Sequence, residues 1–315
     1  MRISLEATME RLLAVEDILI TAHVNPDGDA IGSSLALMGI LKQYHKKVRV
    51  LIDDDIPAVF SVLPDCALIH KPEEHYQADL LVVLDTSLDR LGAVLDHVTV
   101  GQILNIDHHI SNDEKADWLY LDAERAATAE IVFQLLQLTD MPLTLDVAYA
   151  LYTGIATDSG FFRYSNTTPF TMRAAARLLD VGVQPHRISE AMEQKPYALV
   201  QGMAAAMQTI ELFSGGKIAG LFLNQALTES IDSTEGFIDF VRVIEGVDVA
   251  VLLKCKEEKL CRVSMRSKAT DVSKIAMQFQ GGGHVRAAGC TLFMPFEDAK
   301  KTILQALFDA MKESA

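Results

Sequence analysis

The sequence predicts an α/β protein with a doubly wound parallel sheet in its first part and a smaller α+β unit after it. Short apolar runs that end in Asp or His alternate with longer segments of helical periodicity, which is the pattern of a parallel sheet with crossover helices. A break at Ser214-Gly215-Gly216 precedes a second pattern of short strands and helices. The chain of 315 residues is long enough for two such domains.

The elements of the first part follow from apolar spacing, beginning with a helix over residues 3–16. Its predicted strands are 17–22, 47–52, 79–84 and 100–106, and its further helices are 29–45, 123–138, 145–156 and 168–180. Residues 186–212 are predicted to be helical, including 197–213. The second part is predicted to hold strands 218–223, 247–255 and 259–265, and helices near 234–244, 271–279 and 296–313. We therefore predict domains at 1–185 and 215–315, joined by a helical linker at 186–214.

The most informative segment is residues 23–34, where His23, Asp27 and Asp29 lie between an apolar run and a helix. Carboxylates and an imidazole at the carboxyl end of a strand suit a divalent cation such as Mn²⁺. Two close carboxylates repel each other unless a cation lies between them. An EF-hand loop is excluded because its twelfth position, counted from Asp27, is Met38. For this segment alone, a polar surface turn without a ligand is an equal alternative.

Three further segments place Asp or His at the end of an apolar run. Asp85 follows residues 80–84, Asp107-His108-His109 follow residues 101–106, and Asp158 ends a helix rich in small residues. Singly, Asp85 is better explained as a helix cap, and a helix-end turn is an alternative for Asp158. Adjacent histidines have no role in a core, because neighbours on a strand point to opposite faces. Since the carboxyl ends of parallel strands meet in one crevice, the four segments together predict a single site.

These four segments together resemble the motifs of the DHH phosphoesterase superfamily. Residues 281–289, Gly-Gly-Gly-His-Val-Arg-Ala-Ala-Gly, resemble the signature of its DHHA1 domain, and Arg266-Ser267 fits the same pattern. The resemblance covers nearly the whole chain. In size and layout it is nearest to the stand-alone type that hydrolyses short oligonucleotides and 3′-phosphoadenosine 5′-phosphate (pAp). It implies that the first domain is the DHH domain and the second the DHHA1 domain.

The resemblance also implies a site for two cations, with Mn²⁺ expected and Mg²⁺ or Co²⁺ as alternatives. One cation would be held by His23 and Asp27, the other by Asp29, His108 and Asp158, with Asp85 bridging them. The implied catalytic residues are Asp85, Asp107, His108 and His109, with Asp107 and His109 supporting a ligand or contacting phosphate. The implied substrate-binding residues are Arg266, Ser267, Gly281, Gly282, Gly283 and His284. A surface arginine and a flexible hairpin tip are the alternatives for Arg266 and for the glycine loop.

The net charge of −15 limits the partners of the chain. Affinity for a phosphate backbone depends on Lys and Arg, and no basic stripe is evident in the sequence, so we expect short substrates held locally and no long duplex. The acidic run Asp53-Asp54-Asp55 is predicted to be a solvated loop. Mn²⁺-dependent hydrolysis of short single-stranded RNA or DNA, or of pAp, is the leading hypothesis. A phosphodiesterase for cyclic dinucleotides such as c-di-AMP, or for linear dinucleotides, and a nucleotide-sensing binding protein are the alternatives.

No apolar run reaches about 18 residues, and the amino terminus lacks a secretory apolar region, so we expect a cytoplasmic protein that does not associate with a membrane. A homodimer is the candidate assembly. The four cysteines, Cys66, Cys255, Cys261 and Cys290, show no metal-binding spacing and are predicted to be reduced thiols.

Overall fold

The structure, a computed structural model, describes residues 1–231, 233–234 and 236–313. It divides into two compact units, Met1–Gln194 and Lys195–Ala315. The division falls inside the predicted linker. That segment consists of the helices α6 (Pro185–Glu193) and α7 (Tyr197–Met207) and the strand β7 (Ile210–Phe213). The prediction of a helix through residue 213 is therefore wrong after Met207, because residues 210–213 pair with a neighbouring strand.

The first unit is built on a six-stranded parallel sheet with the order β3-β2-β1-β4-β5-β6. Its strands are β1 (Asp17–Thr21), β2 (Lys47–Leu51), β3 (Ile69–His70), β4 (Tyr76–Leu84), β5 (Val98–Asp107) and β6 (Trp118–Leu121). The chain winds outward from β1 in one direction and from β4 in the other, which confirms the predicted doubly wound sheet. The order reverses between β1 and β4, and ligands bind at the carboxyl ends of strands at such a point.

Helices cover the sheet and enclose the main core. They are α1 (Leu5–Leu13), α2 (Gly28–Gln43), α3 (Thr128–Gln137), α4 (Leu145–Asp158), α5 (Pro169–Asp180) and α6. Helix α2 is buried around nearly its whole circumference, since it packs against the sheet and against α4. The helix predicted from residue 123 begins at Thr128, and β3 and β6, which are short, were not predicted.

The second unit has a six-stranded sheet with the order β11-β12-β10-β9-β8-β7, in which β8 and β9 are parallel and the other pairs antiparallel. Its further strands are β8 (Ile218–Leu223), β9 (Val249–Glu257), β10 (Leu260–Ser267), β11 (Gly282–His284) and β12 (Ala287–Leu292). Its helices after α7 are α8 (Gln225–Glu229), α9 (Phe237–Arg242), α10 (Val272–Gln278) and α11 (Phe296–Glu313). One face of the sheet packs on α10 and α11, and part of the other on α7 and α9. The smaller α+β unit is thus confirmed.

One predicted helix and the predicted state of the cysteines differ from the structure of this unit. The predicted helix near 234–244 includes residue 235, which lies outside the described residues; the structure has a helix over Phe237–Arg242. Cys255 and Cys261 form a disulfide, so the prediction of four reduced thiols is wrong for this pair. The cause is the register of the β9–β10 hairpin, which places the two residues opposite each other. In the part of the chain that the structure describes, no helix is long and apolar enough to cross a membrane.

Candidate metal centre

The first motif lies at the carboxyl end of β1, where the chain turns into α2. His23 is buried, and Asp27 is the N-cap of α2, with its Oδ1 accepting hydrogen bonds from the amides of Asp29 and Ala30 at 3.0 and 3.1 Å. An Asp at this position caps a helix and leaves its second oxygen free for another partner. That oxygen lies 3.8 Å from His23 Nε2. The predicted strand, turn and helix are therefore present.

Asp85 and His108 enter the same crevice from the next two strands. Asp85 follows β4 directly and adopts a left-handed backbone conformation, with φ of 63°, which is unusual for a residue other than glycine. Its amide donates to the carbonyl of Ile106 in β5 at 3.1 Å, so the end of one strand fixes the other. Strained backbone of this kind is concentrated at functional sites.

Asp158 arrives from the carboxyl end of α4, which packs closely on α2. Glycines make this approach possible: a Cβ on Gly154 would lie 2.7 Å from Asp29 Oδ1, and a Cβ on Gly28 would lie 2.3 Å from Thr157 Oγ1. Neither distance is compatible with a side chain at the glycine. The small residues in the fourth motif thus allow two acidic residues from different helices to reach one site.

Side chains from all four motifs meet at Asp85. One Asp85 oxygen lies 3.6 Å from His23 Nε2, and the other lies 3.4 Å from His108 Nε2. His108 Nε2 is also 3.3 Å from Asp158 Oδ2 and 3.9 Å from Asp29 Oδ2. Potential ligand atoms lie within 4.8 Å of one another in three groups, namely His23, Asp27 and Asp85; Asp29, His108 and Asp158; and Asp85, His108 and His109.

His23 and His108 each turn a ring nitrogen toward this acidic centre. The Nδ1 of His23 donates to the carbonyl of Val24 at 2.9 Å, and the Nδ1 of His108 donates to the carbonyl of Arg125 at 3.1 Å. Each Nε2 is then the atom left to face the carboxylates, as in histidines whose second nitrogen is fixed so that the first can bind a metal. His108 Nε2 is buried and has no hydrogen-bond partner among the described residues. The donor set therefore fits divalent cations.

Asp29 is held by the amino terminus of α3, a contact that the sequence analysis missed. The fully buried Asp29 carboxylate accepts from the amides of Thr128 at 2.6 Å and Ala129 at 2.9 Å. Helix α3 has no side-chain cap of its own, because its N-cap residue is Ala127. The Thr128 hydroxyl also donates to Asp85 Oδ1 at 3.0 Å. The sequence carried no signal for this contact, because the helix was predicted to begin at residue 123 rather than at Thr128.

Asp107 organises the Asp-His-His motif without pointing at the centre. Its Oδ1 accepts from the amides of His108 and His109 and, at 2.8 Å, from His109 Nδ1. Its Oδ2 accepts from the side-chain nitrogen of Asn112 at 2.6 Å. The same nitrogen also donates to the side-chain oxygen of Asn105. Sequence reasoning missed both asparagines, because nothing local marks them. The result is a His109 ring fixed by Asp107, with 42% of its side chain exposed.

The acidic run at 53–55 supports the first motif. Asp54 Oδ2 accepts from the amide of Asn25 at 2.8 Å, and Asp53 Oδ2 accepts from the amide of Ala93 at 2.7 Å. Asn25 has a left-handed φ of 54°, which the Asp54 contact helps to hold. Asp53 and Asp54 therefore fix loops beside the site, a role that the expected solvated loop did not include.

Burial and repulsion strongly perturb the acidic residues of the centre. Burial, followed by the charges of Asp85 and Asp158, raises the pKa of Asp29 well above its usual value. Burial, reinforced by the Asp85 charge, raises the pKa of Asp158 to about 6. Burial also opposes ionisation of Asp85, but the nearby imidazoles of His108 and His23 outweigh it and hold the pKa of Asp85 well below its usual range. The centre therefore favours ionisation of Asp85 and opposes ionisation of Asp29 and Asp158.

The ionised Asp85 raises the pKa of both neighbouring histidines. Burial lowers the pKa of His108, but the nearby Asp85 carboxylate outweighs that effect and raises the pKa to about 9. Burial likewise opposes protonation of His23, and Asp85 again reverses the balance and raises its pKa. Without cations, the Asp85 carboxylate favours the protonated form of both rings, and protons there would partly neutralise the carboxylates. A cation would have to displace those protons, since a ligating imidazole must be neutral.

We expect cation binding to release protons at pH 7. Metal-free His108, with a pKa of about 9, is protonated there, so the apparent affinity for Mn²⁺ should rise with pH, by about tenfold per unit for each displaced proton. Isothermal titration calorimetry of Mn²⁺ at pH 7 in buffers of different ionisation enthalpy measures the number of protons released. His108→Gln should reduce that number. An enthalpy that does not depend on the buffer would show that His108 takes no part in binding.

In the second unit, three neighbouring strands place Arg266 and His284 in one row. Arg266 in β10 lies opposite Ala287 in β12, and Ala287 lies opposite His284 in β11. Directly opposed residues of a sheet point to the same face. Ser267 is buried, and its hydroxyl donates to the carbonyl of Thr270. Sheet pairing thus brings two predicted substrate residues together and turns Ser267 into the core.

The predicted glycine loop is a hairpin strand in the structure. Gly282–His284 forms β11, paired with β12. A Cβ on Gly281 would lie 2.2 Å from the Gly289 carbonyl, and one on Gly283 would lie 2.4 Å from the Ala287 carbonyl, so both glycines permit close approach of two strands. Gly282 is exposed and would meet nothing within 4 Å. The exposed His284 ends this strand.

Comparisons with known proteins identify two family domains in the chain. The DHH family, N-terminal domain, matches residues 17–155, and the DHHA1 domain matches residues 223–313. The bifunctional oligoribonuclease and PAP phosphatase NrnA of Thermus thermophilus is 35% identical over 302 residues, which are 95% of this chain and 91% of that protein. The protein of the same description from Bacillus subtilis is 24% identical over 289 residues, or 88% and 90% of the two chains. The cyclic-di-AMP phosphodiesterase PdeA of Listeria monocytogenes is 23% identical over 97% of this chain and 49% of that protein.

Solved structures show the same fold. An exopolyphosphatase-related protein from Bacteroides fragilis is 25% identical, with a TM-score of 0.85 and coverage of 96% of both chains. Exonuclease RecJ bound to manganese is 13% identical, with a TM-score of 0.52 over 96% of this chain and 92% of that one. Together with the 35% identity over almost the whole chain, these matches show that the protein belongs to the DHH family, carries a DHHA1 domain, and is a hydrolase acting on phosphoric ester bonds.

Proposed function

We propose that this protein is a Mn²⁺-dependent phosphoesterase that hydrolyses short oligonucleotides to mononucleotides and pAp to AMP. The observation that carries the proposal is the unpartnered His108 Nε2, which faces Asp85, Asp158 and Asp29 at 3.3–3.9 Å. Relatives that cover almost the whole chain are described as oligoribonucleases and pAp phosphatases, which supports this substrate class.

In this proposal the ligand set is the one implied by the sequence. His23 and Asp27 would hold one cation, Asp29, His108 and Asp158 would hold the other, and Asp85 would bridge them. Asp85 offers one oxygen toward each histidine, which suits a bridging role. When bound, the two cations would activate water and neutralise the charge that develops on the phosphate.

His109 is proposed to contact the substrate phosphate. Its Nδ1 is engaged by Asp107, and the Asp107 hydrogen bond raises its pKa, which favours the cationic form. The partly exposed ring can then donate from Nε2 to a phosphate oxygen or to the leaving oxygen. Thr128 acts through Asp29 and Asp85, whose carboxylates it orients, and is therefore a positioning residue.

Arg266 and His284 are proposed to hold substrate from the DHHA1 domain. Arg266 presents a guanidinium that can bind a phosphate in bidentate fashion, and His284 lies in the same row of the sheet. The open, exposed backbone at Gly282 adds room for a ligand beside them. Ser267 is assigned a supporting role, since its hydroxyl fixes the end of β10.

A hydrolysis panel tests the proposal. The purified chain is given Mn²⁺, Mg²⁺ or Co²⁺ with RNA and DNA dinucleotides to hexanucleotides, a 20-base-pair duplex, pAp, c-di-AMP and its linear product, and the products are separated by chromatography. We expect mononucleotides from short single strands, AMP from pAp, and little product from the duplex. Preferential hydrolysis of c-di-AMP would favour the alternative suggested by the PdeA relative. Binding of all these compounds without hydrolysis would favour a nucleotide-sensing protein.

Arg266→Ala and His284→Ala should weaken substrate binding and leave the metals in place. Both residues lie in the second unit, and every proposed metal ligand lies in the first. Loss of a charge-assisted phosphate contact costs about 1.5–3 kcal/mol, so KM should rise by roughly tenfold to a hundredfold. Kinetics and metal content are measured on the same preparations, with Lys268→Ala, an exposed cation two residues from Arg266, as the control. Loss of metal from either variant would contradict this division of roles.

A further inference from the structure

Glu130 is a fully buried acidic residue that the proposed function does not use. It lies in the first turn of α3, and its Oε2 accepts from the backbone amide of Ala126 at 3.1 Å. Burial raises the pKa of Glu130, and the neighbouring Thr171 side chain, the Ala126 amide and the charge of Arg125 oppose that rise. Because a carboxylate is costly to bury, the contact between Glu130 and Ala126 calls for an explanation.

Helix capping explains only part of this contact. Glu130 is the third residue of α3, the position from which a glutamate often reaches back to the amide of the N-cap residue. The N-cap is Ala127, but Glu130 reaches one residue further, to Ala126. The carboxylate of Asp29 already accepts from the first two amides of the helix. Glu130 therefore fixes the segment before the helix in addition to the helix start.

The Ala126 amide belongs to the same peptide group as the Arg125 carbonyl, which accepts from His108 Nδ1 at 3.1 Å. A trans peptide group is planar, and its N–H and C=O point in opposite directions. Glu130 and His108 thus hold the two ends of one rigid unit. Hydrogen bonds at the two ends of such a group polarise and strengthen each other. The arrangement is that of a carboxylate that orients a metal-binding histidine, with one peptide group inserted between the two side chains.

Residues 125–129, which contain this peptide group, are also connected to the other proposed ligands of the same cation. Asn166 donates from its side-chain nitrogen to the Ala126 carbonyl at 3.2 Å and to the Asp158 carbonyl at 3.1 Å. At the other end of the segment, two amides donate to Asp29. Both peptide groups of Ala126 are therefore fixed, and hydrogen bonds link the segment to three proposed ligands, namely Asp29, His108 and Asp158.

We propose that Glu130 is a positioning residue that keeps Nε2 of His108 directed at the metal centre, through the peptide group between Arg125 and Ala126. This inference rests on the proposed function, because it takes His108 as a ligand of Mn²⁺. Without the bond from Ala126 to Glu130, the peptide group is free to rotate, and the Arg125 carbonyl turns away from Nδ1. The imidazole then loses the partner that sets its orientation. The effect depends on the reach of the Glu130 side chain, since a neutral amide oxygen can accept the same bond.

Two conservative variants separate the reach of Glu130 from its charge. Glu130→Gln keeps the length of the side chain and an acceptor oxygen, whereas Glu130→Asp keeps the carboxylate but is one methylene group shorter. The Mn²⁺ affinity of the full chain is measured from the electron paramagnetic resonance signal of free Mn²⁺. Glu130→Asp should weaken binding of one cation by about tenfold to a hundredfold, as expected for the partner of a metal-binding histidine. Glu130→Gln should stay within about threefold of the unaltered chain.

The reverse order, with Mn²⁺ binding impaired in Glu130→Gln and intact in Glu130→Asp, would overturn the proposal in favour of a direct effect of the buried charge. Gln134→Asn is the matched control, because it also removes one methylene group from a partly buried polar side chain of α3. Gln134 lies about one turn further from the helix start, so its change should lower the melting temperature and leave the Mn²⁺ affinity unaltered. Equal losses of affinity in Gln134→Asn and Glu130→Asp would overturn the proposal, because they would indicate a general loosening of α3.

A double-mutant cycle with His108→Gln tests whether Glu130 acts through His108. In a chain that already lacks this imidazole, Glu130→Asp should weaken Mn²⁺ binding by no more than about threefold, because the interaction is then absent. In the chain that retains His108, Glu130→Asp should lower kcat with little change in KM, because Glu130 does not contact the substrate. An equal loss of Mn²⁺ affinity with and without His108 would overturn the proposal and leave Glu130 a purely structural residue.

The metal measurement separates this inference from the proposed function. If the unaltered chain binds Mn²⁺ but hydrolyses none of the compounds in the panel, the proposed function fails, and the Mn²⁺ affinities still decide the role of Glu130. If the unaltered chain binds no Mn²⁺, His108 has no such cation to hold, and the inference on Glu130 fails whatever the panel shows.

Discussion

Asp85→Ala is expected to abolish hydrolysis, with a loss of about a thousandfold or more and a larger effect than removal of any terminal ligand. The buried Asp85 carboxylate lies 3.4–3.6 Å from the Nε2 atoms of both His23 and His108. Its removal takes away the shared ligand of both proposed cations, which would then repel each other without compensation. Asp158→Ala, which removes a partly exposed carboxylate from one edge, should cost less.

Metal content and rate are measured together on Asp85→Ala, by elemental analysis and by hydrolysis of a dinucleotide. The matched control is Asp79→Ala on the same strand. Asp79 lies at the opposite end of β4 and accepts from the amides of Glu16 and Asp17, so its loss should cost some stability but neither metal nor activity. A variant Asp85→Ala that keeps both metals and more than about a tenth of the activity would exclude Asp85 as the bridge.

Gly154→Ala is expected to reduce kcat by about tenfold to a hundredfold and to weaken cation binding, although the residue has no functional group. Its added Cβ would lie 2.7 Å from Asp29 Oδ1 and 2.6 Å from the Cβ of Ala129. The surrounding backbone belongs to the packed helices α2, α3 and α4, so the Asp29 carboxylate would have to move. Displacement of an active-site group by about 1 Å can cost a hundredfold in rate.

Gly39→Ala is the control for this substitution. Gly39 lies on the same face between α2 and α4, where a Cβ would meet the tip of the Val147 side chain at 2.6 Å. Val147 is about 10 Å along α4 from Gly154, so crowding there should lower the melting temperature without affecting the centre. Activity and Mn²⁺ affinity are compared between the two variants at equal folded fractions. Equal losses in both would assign the effect of Gly154→Ala to helix packing rather than to Asp29.

The predicted metal ligands illustrate how far local sequence reaches. They lie within a few residues of the end of an apolar strand, at the start of the helix that follows it, or at the end of a helix, and strand ends can be recognised from a few residues. The parallel arrangement then brings those ends to one edge. The clustering of His23, Asp29, Asp85, His108 and Asp158 could therefore be expected before the structure was examined, whereas their assignment to individual cations is still a prediction. The domain limits and the homodimer also stay predictions.

The sequence by itself determined the strand and helix pattern of the first unit and the positions where acidic and histidine side chains leave the strands, because both depend on periodicity and neighbouring residues. The tertiary structure alone decided which distant groups hold those side chains and which charges become neighbours. Thr128 contacts Asp29 across 99 residues, Asn112 holds Asp107 through a loop, and Arg262 meets Lys254 through a hairpin register. Such contacts depend on crossover paths and strand pairing. Burial of whole apolar faces stabilises these arrangements, so no single segment of the sequence determines them on its own.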